Sequence, residues 1–151
     1  MRIAIVGATG LVGRTFLKVL EERDFEITEL YLFASKRSAG NKVIFKSKEY
    51  TVEELTESSF DRNIDIALFS AGGDISKKFA PIAAEKGVLV VDNSSAWRME
   101  SGVPLVVPEV NPETAFKNSG IIANPNCSTI QCMLPLKVLE EKYGLKRVIY
   151  S

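Results

Sequence analysis

The opening of the chain constrains the fold more than any other segment. Ile3–Val6 is a continuous apolar run rich in β-branched residues, which is typical of a buried parallel strand. Gly7–Gly13 follows at once with the spacing G-x-x-G-x-x-G, and an amphipathic helical pattern then runs to about Arg23. A strand, a glycine-rich turn and a helix in this order predict the phosphate-binding start of a dinucleotide-binding domain. A plain strand-to-helix turn would share the pattern, but the position directly after the first strand favours a cofactor site.

The remainder of the chain alternates further buried strands with helical patterns. Strands are predicted at Thr28–Ala34, Asp65–Phe69, Val88–Val91 and Leu105–Val107, and Arg147–Tyr150 is expected to begin a strand that the chain end cuts off. A hairpin is predicted at Lys42–Phe45 and Lys48–Val52, and helices at Asp74–Lys86, Glu113–Lys117 and Ser128–Tyr143. Glu53–Phe60 is interpreted as a polar connection. This alternation predicts an α/β protein with a Rossmann-like, doubly wound, mostly parallel sheet and helices on both faces. With 151 residues, one domain with a sizeable hydrophobic core is expected.

The segment after the second strand indicates which cofactor the domain binds. An NAD site usually has an acidic residue there to bind the ribose 2′-hydroxyl, whereas this chain has Ser35-Lys36-Arg37-Ser38. A guanidinium beside two hydroxyls suits a 2′-phosphate, because Arg can bind phosphate in a bidentate way. A solvated basic loop is the alternative, but together with the glycine loop the segment favours NADP. Ser70–Gly73, after a later strand, is an open turn where a ligand could touch the backbone.

Asn124–Gln131 has the features of a chemical centre. It follows the short apolar run Gly120–Ala123, and Pro125 with small polar neighbours marks a sharp strand-to-helix turn. Cys127 would then lie at the N-terminus of a helix, where unpaired backbone N–H groups and the helix dipole favour the thiolate. The polar neighbours argue against a buried core cysteine. We therefore predict that Cys127 is a nucleophile.

Glycine-rich or polar segments follow the predicted strands at five equivalent places. They are the glycine loop, Ser35–Ser38, Ser70–Gly73, Asn93–Arg98 and Asn126–Cys127. Open parallel sheets bind ligands in the crevice beyond the carboxyl ends of their strands. We therefore expect all five segments to lie at one edge of the sheet, around one site.

Composition argues against several kinds of partner. The 19 basic and 19 acidic residues give a formal net charge of zero, so neither nucleic acid nor an anionic membrane is expected as a partner. No apolar run reaches the length of a membrane span, and the chain opens directly into a strand, so no signal peptide is expected. Cys127 and Cys132 are not expected to pair, which fits a reduced, cytoplasmic setting. The chain has no histidine, and no metal site is predicted.

The motifs together resemble the N-terminal half of the aspartate-β-semialdehyde dehydrogenases. The matching segments are Gly7–Gly13, Ser35–Ser38, Asp92–Arg98, Val107–Asn111 and Asn124–Gln131, and the resemblance spans essentially all 151 residues. It implies NADP-dependent interconversion of aspartate semialdehyde, phosphate and β-aspartyl phosphate, a step towards lysine, methionine and threonine. It also implies that the acid/base histidine and the dimer interface belong to a C-terminal half outside this chain. On that basis residues 1–151 form the NADP-binding domain, inactive alone, of a protein that is a homo-oligomer when full length.

The resemblance also implies roles for individual residues. Cys127 matches the family nucleophile, whose thiolate attacks the aldehyde; the thiohemiacetal passes hydride to NADP, and phosphate releases the acyl phosphate from the thioester. Arg98 matches the arginine that holds the phosphate, and Asn126 is expected to help there; a surface ion pair is the alternative for Arg98. The predicted cofactor contacts are Gly7, Thr9, Gly10, Leu11, Val12, Gly13, Ser35, Arg37, Ser38, Ser70, Ala71 and Gly72.

Three alternative functions share much of this pattern. The N-acetyl-glutamyl-phosphate reductases have a similar design, but typically carry Pro-Gly-Cys-Tyr around the cysteine where this chain has Asn126-Cys127-Ser128-Thr129. A stand-alone NADP-binding module, in which Cys127 senses oxidation, is the second. A hydride-transferring enzyme for a different acyl phosphate is the third.

Overall fold

The structure is a computed structural model that describes residues 1–150, and it contains one parallel sheet flanked by helices. The strands are β1 (Arg2–Val6), β2 (Glu29–Ala34), β3 (Lys42–Phe45), β4 (Lys48–Thr51), β5 (Glu53–Glu54), β6 (Ile66–Phe69), β7 (Leu89–Asp92) and β8 (Ile121–Ala123). The helices are α1 (Leu11–Glu22), α2 (Gly73–Glu85) and α3 (Cys127–Tyr143), with short 3₁₀ turns at Lys36–Ser38, Glu57–Phe60 and Pro112–Lys117.

The sheet has six strands in the order β5-β2-β1-β6-β7-β8, and every neighbouring pair is parallel. The chain begins in the middle at β1, proceeds to one edge, and returns to the other side of β1 at β6. The direction of winding therefore reverses between β1 and β6, which is where open sheets of this kind bind ligands. β3 and β4 form the predicted antiparallel hairpin outside this sheet. The predicted doubly wound α/β fold is confirmed.

Alternating residues of β1 enter two different hydrophobic cores. Val6 packs in one core with Phe79 of α2, and Ile5 packs in the other with Leu17 of α1. Because successive side chains of a strand point to opposite faces, α1 and α2 cover opposite faces of the sheet. Burying each large apolar side chain contributes roughly 1.5–3 kcal/mol, which is what holds each helix to its face.

Glu53–Phe60 is more structured than its polar sequence indicates. Glu53–Glu54 adds the edge strand β5 beside Phe33 and Ala34 of β2. Phe60 is 1% exposed, and its ring centroid lies 6.0 Å from that of Phe33. A two-residue strand is too short to show a periodic pattern, so its partner strand, and not its own sequence, determines it.

Two predicted strands are wrong. Leu105–Val107 makes a single bridge, between Leu105 and Ala123, and forms no strand. Arg147–Tyr150 has no regular structure, and its side chains are exposed. A β-branched segment becomes a strand only where another strand offers its backbone hydrogen bonds. Arg147–Tyr150 follows α3, a helix that has no buried residue.

None of the helices in residues 1–150 combines the length and the hydropathy that a membrane span requires.

An ion pair joins the amino ends of β1 and β6. Arg2 donates from Nη2 to Asp65 Oδ1 at 2.5 Å, and the Arg2 backbone N–H donates to Asp65 Oδ2 at 2.7 Å. The hydrogen bonds from the Arg2 side chain and backbone lower the pKa of Asp65 from its ordinary value to about 2. Because the folded pKa lies below the unfolded one, the pair stabilises the protein above the unfolded pKa, and this contribution is lost as the pH falls towards 2.

We therefore expect Asp65→Asn to lower the thermal midpoint at neutral pH and to have little effect near pH 2. The measurement is the difference in midpoint between the parent and the variant across that pH range. Glu22→Gln is the control, since Glu22 pairs with Lys18 only at 3.6 Å on an exposed helix face, where ion pairs contribute little. A difference for Asp65→Asn that stays constant down to pH 2 would contradict the role of this ion pair.

Candidate active site

A cleft of about 400 Å³ lies between the carboxyl ends of β1 and β6, where the winding of the sheet reverses. Its volume falls in the range of small-molecule and cofactor sites. It is lined by Val6, Gly7, Thr9, Gly10, Ala34, Ser35, Leu55, Ser70, Ala71, Ile75 and Phe79. Six of the predicted cofactor residues are among them: Gly7, Thr9, Gly10, Ser35, Ser70 and Ala71. The other six predicted cofactor residues lie beside these residues in the chain but do not line the cleft: Leu11, Val12, Gly13, Arg37, Ser38 and Gly72.

Two glycines of the loop are required by close backbone approaches. Gly7 has a φ of 92°, and a Cβ there would lie 2.8 Å from the carbonyl carbon of Ser70. A Cβ on Gly13 would lie 2.8 Å from the Cα of Ala8, so Gly13 lets the first turn of α1 pack onto the loop. Gly10 is less restricted, since its nearest neighbour would be the Gly7 carbonyl oxygen at 3.3 Å. Gly7 and Gly13 thus shape the loop, and Gly10 lines the cleft.

The N-terminus of α1 is open to an anion. Gly10 is the N-cap residue and provides no side-chain cap, and the first turn carries no acidic residue. Arg14 folds back onto the loop and donates from Nη2 to the Thr9 carbonyl oxygen at 2.9 Å. Uncapped N–H groups and the helix dipole at such an end favour phosphate groups. These residues fit the pyrophosphate of a dinucleotide.

The basic segment after β2 forms a 3₁₀ turn at the mouth of the same edge. Ser35 lines the cleft, and Lys36–Ser38 make the turn that follows it. The Arg37 side chain is exposed, and it forms no ion pair within residues 1–150. A guanidinium without a carboxylate partner is available to a phosphate group.

Arg98 lies between the loops that follow β7 and β8. Its Nε donates to the Asn124 carbonyl oxygen at 3.0 Å, and its Nη2 donates to the Asn93 carbonyl oxygen at 3.1 Å. Within the described residues it forms no ion pair with a carboxylate, so the surface ion pair considered from the sequence is absent there. These two bonds use two of the five guanidinium N–H groups and fix the orientation of the rest.

Cys127 is the first residue of α3, and its thiol is exposed. Asn126 is the N-cap residue: its Oδ1 accepts from the N–H groups of Ser128 at 3.0 Å and Thr129 at 3.3 Å. The predicted placement of the cysteine at a helix N-terminus is confirmed. Asn126 therefore has a structural role that the sequence interpretation did not assign, and its amide nitrogen is not used in the cap.

An asparagine pair that the sequence analysis missed joins the last two loops. Asn124 Nδ2 donates to Asn93 Oδ1 at 2.7 Å, and the Asn124 backbone N–H donates to the Asp92 carbonyl oxygen at 2.8 Å. Arg98 is thereby attached to the residue that lies three positions before Cys127. Both asparagines belong to polar segments that follow predicted strands, but no sequence periodicity shows that they pair across 31 residues.

Comparisons with known proteins agree with this geometry. Residues 2–118 match the family model described as semialdehyde dehydrogenase, NAD binding domain. The aspartate-semialdehyde dehydrogenase of Aquifex aeolicus is 63% identical over 152 residues, which cover 99% of this chain and 45% of that protein.

Two solved structures extend the likeness. Aspartate semialdehyde dehydrogenase II from Vibrio cholerae, complexed with ASA, has a TM-score of 0.92 and 52% identity, covering 97% of this chain and 48% of that one. Aspartate semialdehyde dehydrogenase with NADP from Candida albicans has a TM-score of 0.77 and 33% identity, and the match covers 96% of this chain and 48% of that one.

The chain spans about half the length of the curated relatives it matches, 45% in the case of the Aquifex aeolicus protein. The family model covers residues 2–118, which is more than half of the chain. The glycine loop, β6 and the Arg98 loop fall inside that match, whereas Cys127 lies beyond it. The chain therefore belongs to the semialdehyde dehydrogenase family, as its NAD-binding domain.

Proposed function

We propose that the full-length protein is an NADP-dependent aspartate-semialdehyde dehydrogenase and that residues 1–151 are its cofactor-binding half, which also carries the nucleophile. One observation carries this most directly. An exposed cysteine at the start of α3 and an arginine that has no carboxylate partner within residues 1–150 are attached to the same turn through Asn124, at the sheet edge that holds the cofactor cleft. A nucleophile, an oxyanion binder and a dinucleotide cleft are the three parts that phosphorylating oxidation of an aldehyde requires.

Cys127 would act as the covalent nucleophile. Its thiolate attacks the aldehyde carbon of aspartate semialdehyde, and the carbonyl oxygen takes up a proton to give a thiohemiacetal. The thiohemiacetal carbon then loses hydride, with its electron pair, and the hydroxyl loses its proton to leave an acyl-thioester. A phosphate oxygen attacks that carbon, the carbon–sulfur bond breaks, and β-aspartyl phosphate leaves with the thiolate restored. Splitting the reaction through a covalent intermediate lowers the barrier of each step.

Arg98 would bind the phosphate that attacks the thioester. Its Nε and one Nη2 N–H are held by backbone carbonyl oxygens, so the guanidinium plane is fixed before phosphate arrives. Charge-assisted hydrogen bonds to an oxyanion are roughly twice as strong as neutral ones. Asn126, with its Nδ2 free of the helix cap, could donate at the same place.

The cofactor cleft fits a phosphorylated dinucleotide. The uncapped N-terminus of α1 suits the pyrophosphate. Arg37, which forms no ion pair among the described residues, suits a ribose 2′-phosphate together with Ser38. When bound, NADP supplies the chemistry of hydride transfer. The Candida albicans relative, whose structure holds NADP, supports this choice over NAD.

The remainder of the full-length protein would supply the acid/base group. The chain has no histidine, the side chain that usually transfers protons near neutral pH. We also propose that the full-length protein is a homo-oligomer and works in the cytoplasm, where thiols such as the free Cys127 and Cys132 stay reduced.

Steady-state kinetics of the full-length protein test the function and the cofactor together. NADPH should form only when aspartate semialdehyde, phosphate and NADP⁺ are all present. Arg37→Ala should raise the KM for NADP⁺ by roughly ten- to hundredfold, since it removes about 1.5–3 kcal/mol of charge-assisted hydrogen bonding. Its KM for NAD⁺ should not change, because NAD⁺ has no 2′-phosphate.

Lys36→Ala is the matched control, one residue earlier in the same exposed turn. Lys36→Ala removes one positive charge, as Arg37→Ala does, but it leaves the bidentate guanidinium of Arg37 in place. We therefore expect a smaller rise in the KM for NADP⁺. Activity on a different semialdehyde, with none on aspartate semialdehyde, would contradict the substrate assignment. Cofactor binding without turnover of any semialdehyde would favour a redox module instead.

A further inference from the structure

Asp92 is a buried carboxyl group that the proposed reaction does not use. It is the last residue of β7 and is 0% exposed. Within residues 1–150 it has no cationic partner. Burying a carboxyl group without hydrogen bonds is strongly unfavourable. Its hydrogen-bond donors are therefore strongly constrained to stay in place.

Both oxygens of Asp92 accept hydrogen bonds of fixed direction. Ser76 Oγ donates to Oδ1 at 2.7 Å, and Ser94 donates to Oδ2 from Oγ at 2.6 Å and from its backbone N–H at 3.1 Å. Trp97 Nε1 donates to Ser76 Oγ at 2.8 Å. An indole N–H can only donate, so the one Ser76 proton is directed at Asp92. The four residues form the chain Trp97–Ser76–Asp92–Ser94.

This hydrogen-bonded chain holds the loop that leads to Arg98. Ser94 is fixed by Asp92 two residues before it, and Ser94 Oγ in turn accepts from the Ala96 backbone N–H at 3.1 Å. Trp97 is anchored through Ser76 to the first turns of α2, a helix that packs into the core. Arg98 is the next residue after Trp97. Its backbone position is therefore set by contacts with β7 and α2, before its side chain reaches Asn93 and Asn124.

Resting on the proposed function, we propose that Asp92 is a positioning residue for phosphate binding. Through its contacts with Ser94 and with Ser76, which holds Trp97, Asp92 places Arg98 where the free N–H groups of the guanidinium meet the attacking phosphate. Asp92 does not touch phosphate or cofactor. An asparagine at this position keeps the shape but replaces one acceptor oxygen by an N–H₂ group. Either Ser76 or Ser94 then loses its acceptor, and the loop relaxes away from the position that suits Arg98.

The experiment is a double-mutant cycle on the full-length enzyme, with the KM for phosphate and the KM for NADP⁺ as separate readouts. Asp92→Asn should raise the KM for phosphate roughly tenfold or more, because small misplacements of a binding group have effects of that size. The KM for NADP⁺ should change by less than about twofold, since Ser70, which lines the cleft, is held separately by the Val6 carbonyl oxygen of β1 at 2.8 Å. In an Arg98→Ala background, Asp92→Asn should have no further effect on the KM for phosphate.

Ser76→Ala provides a second route to the same test if Asp92→Asn does not fold. It removes the hydroxyl between Trp97 and Asp92 and should give the same selective rise, also abolished in the Arg98→Ala background. Ser59→Ala is the matched control: Ser59 is a buried serine, 4% exposed, whose hydroxyl bonds to Thr56 and the Glu54 carbonyl oxygen, far along the chain from Arg98.

The outcomes separate the two proposals. If the full-length protein shows no phosphate-dependent turnover at all, the proposed function fails. The second case is a protein that turns over and in which Arg98→Ala raises the KM for phosphate. If Asp92→Asn then raises this KM by the same factor in the parent and in the Arg98→Ala background, the positioning role is overturned and the proposed function stands. An unchanged KM for phosphate in both Asp92→Asn and Ser76→Ala also overturns it.

Discussion

Replacing Cys127 with serine should lower kcat of the full-length protein by roughly four orders of magnitude or more. The thiol belongs to the first residue of α3 and is exposed, so an aldehyde can reach it. A serine hydroxyl is far less acidic than a thiol and is a much weaker nucleophile near neutral pH, so it attacks the aldehyde carbon far more slowly. The measurement is steady-state formation of NADPH with aspartate semialdehyde and phosphate at saturation.

Cys132→Ser is the matched control for this loss. Cys132 lies on the same helix, is partly buried, and its Sγ donates to the Ser128 carbonyl oxygen at 3.5 Å. We expect this variant to keep turnover within a few-fold of the parent. We also expect Cys127→Ser to bind NADP⁺ normally, because Cys127 does not line the cleft. Full turnover by Cys127→Ser would exclude the cysteine as the nucleophile.

Replacing Gly13 with alanine should destabilise the 151-residue chain, although helix propensity predicts the opposite. Alanine inside a helix is about 1 kcal/mol more favourable than glycine. Here, however, the added Cβ would lie 2.8 Å from the Ala8 Cα, a contact with rigid backbone. Overpacking of this kind costs about 3 kcal/mol. The net loss of about 2 kcal/mol should lower the thermal midpoint by roughly 4–8 °C for a chain of this size.

Gly73→Ala is the control for the propensity term. Gly73 is the first residue of α2, and a Cβ there would meet no atom within 4 Å. The thermal midpoint of the Gly73→Ala variant should equal that of the parent or exceed it. Gly10→Ala is the control for binding, since its Cβ would meet only the Gly7 carbonyl oxygen at 3.3 Å while projecting where the cleft is lined. It should fold and bind NADP⁺ more weakly. A midpoint for Gly13→Ala equal to or above that of the parent would contradict the close packing of α1 on the loop.

The elements whose own residues carry the signal are predictable from sequence. Ile3–Val6 and Ile66–Phe69 are apolar because both faces of a central parallel strand are buried, and the structure places them side by side in β1 and β6. The glycine spacing predicts the loop because Gly7 and Gly13 meet backbone atoms that leave no room for a side chain. The N-terminal position of Cys127 follows from Pro125 and the small polar residues around it.

Features that depend on distant partners are not predictable in the same way. β5 exists because β2 offers an edge, and Arg147–Tyr150 forms no strand because no other strand within residues 1–150 pairs with it. Asp92 carries no sequence sign that Ser76 donates to it, or that Trp97 donates to Ser76, because both contacts form only when α2 packs on the sheet. The Asn93–Asn124 pair depends likewise on β7 and β8 being neighbours. Local patterns thus predict the segments of the site, and the sheet topology determines which of them meet.

The most direct measurement is a single-turnover reaction of the full-length protein with aspartate semialdehyde and NADP⁺ in the absence of phosphate. Cys127 should be acylated once and should remain acylated until phosphate is added. We predict a burst of NADPH equal in amount to the enzyme, with an acyl group on the peptide that contains Cys127 in mass spectra, and release of that group when phosphate is added. An absent burst, or an acyl group on a peptide without Cys127, would contradict the assignment of this cysteine as the nucleophile of the dehydrogenase.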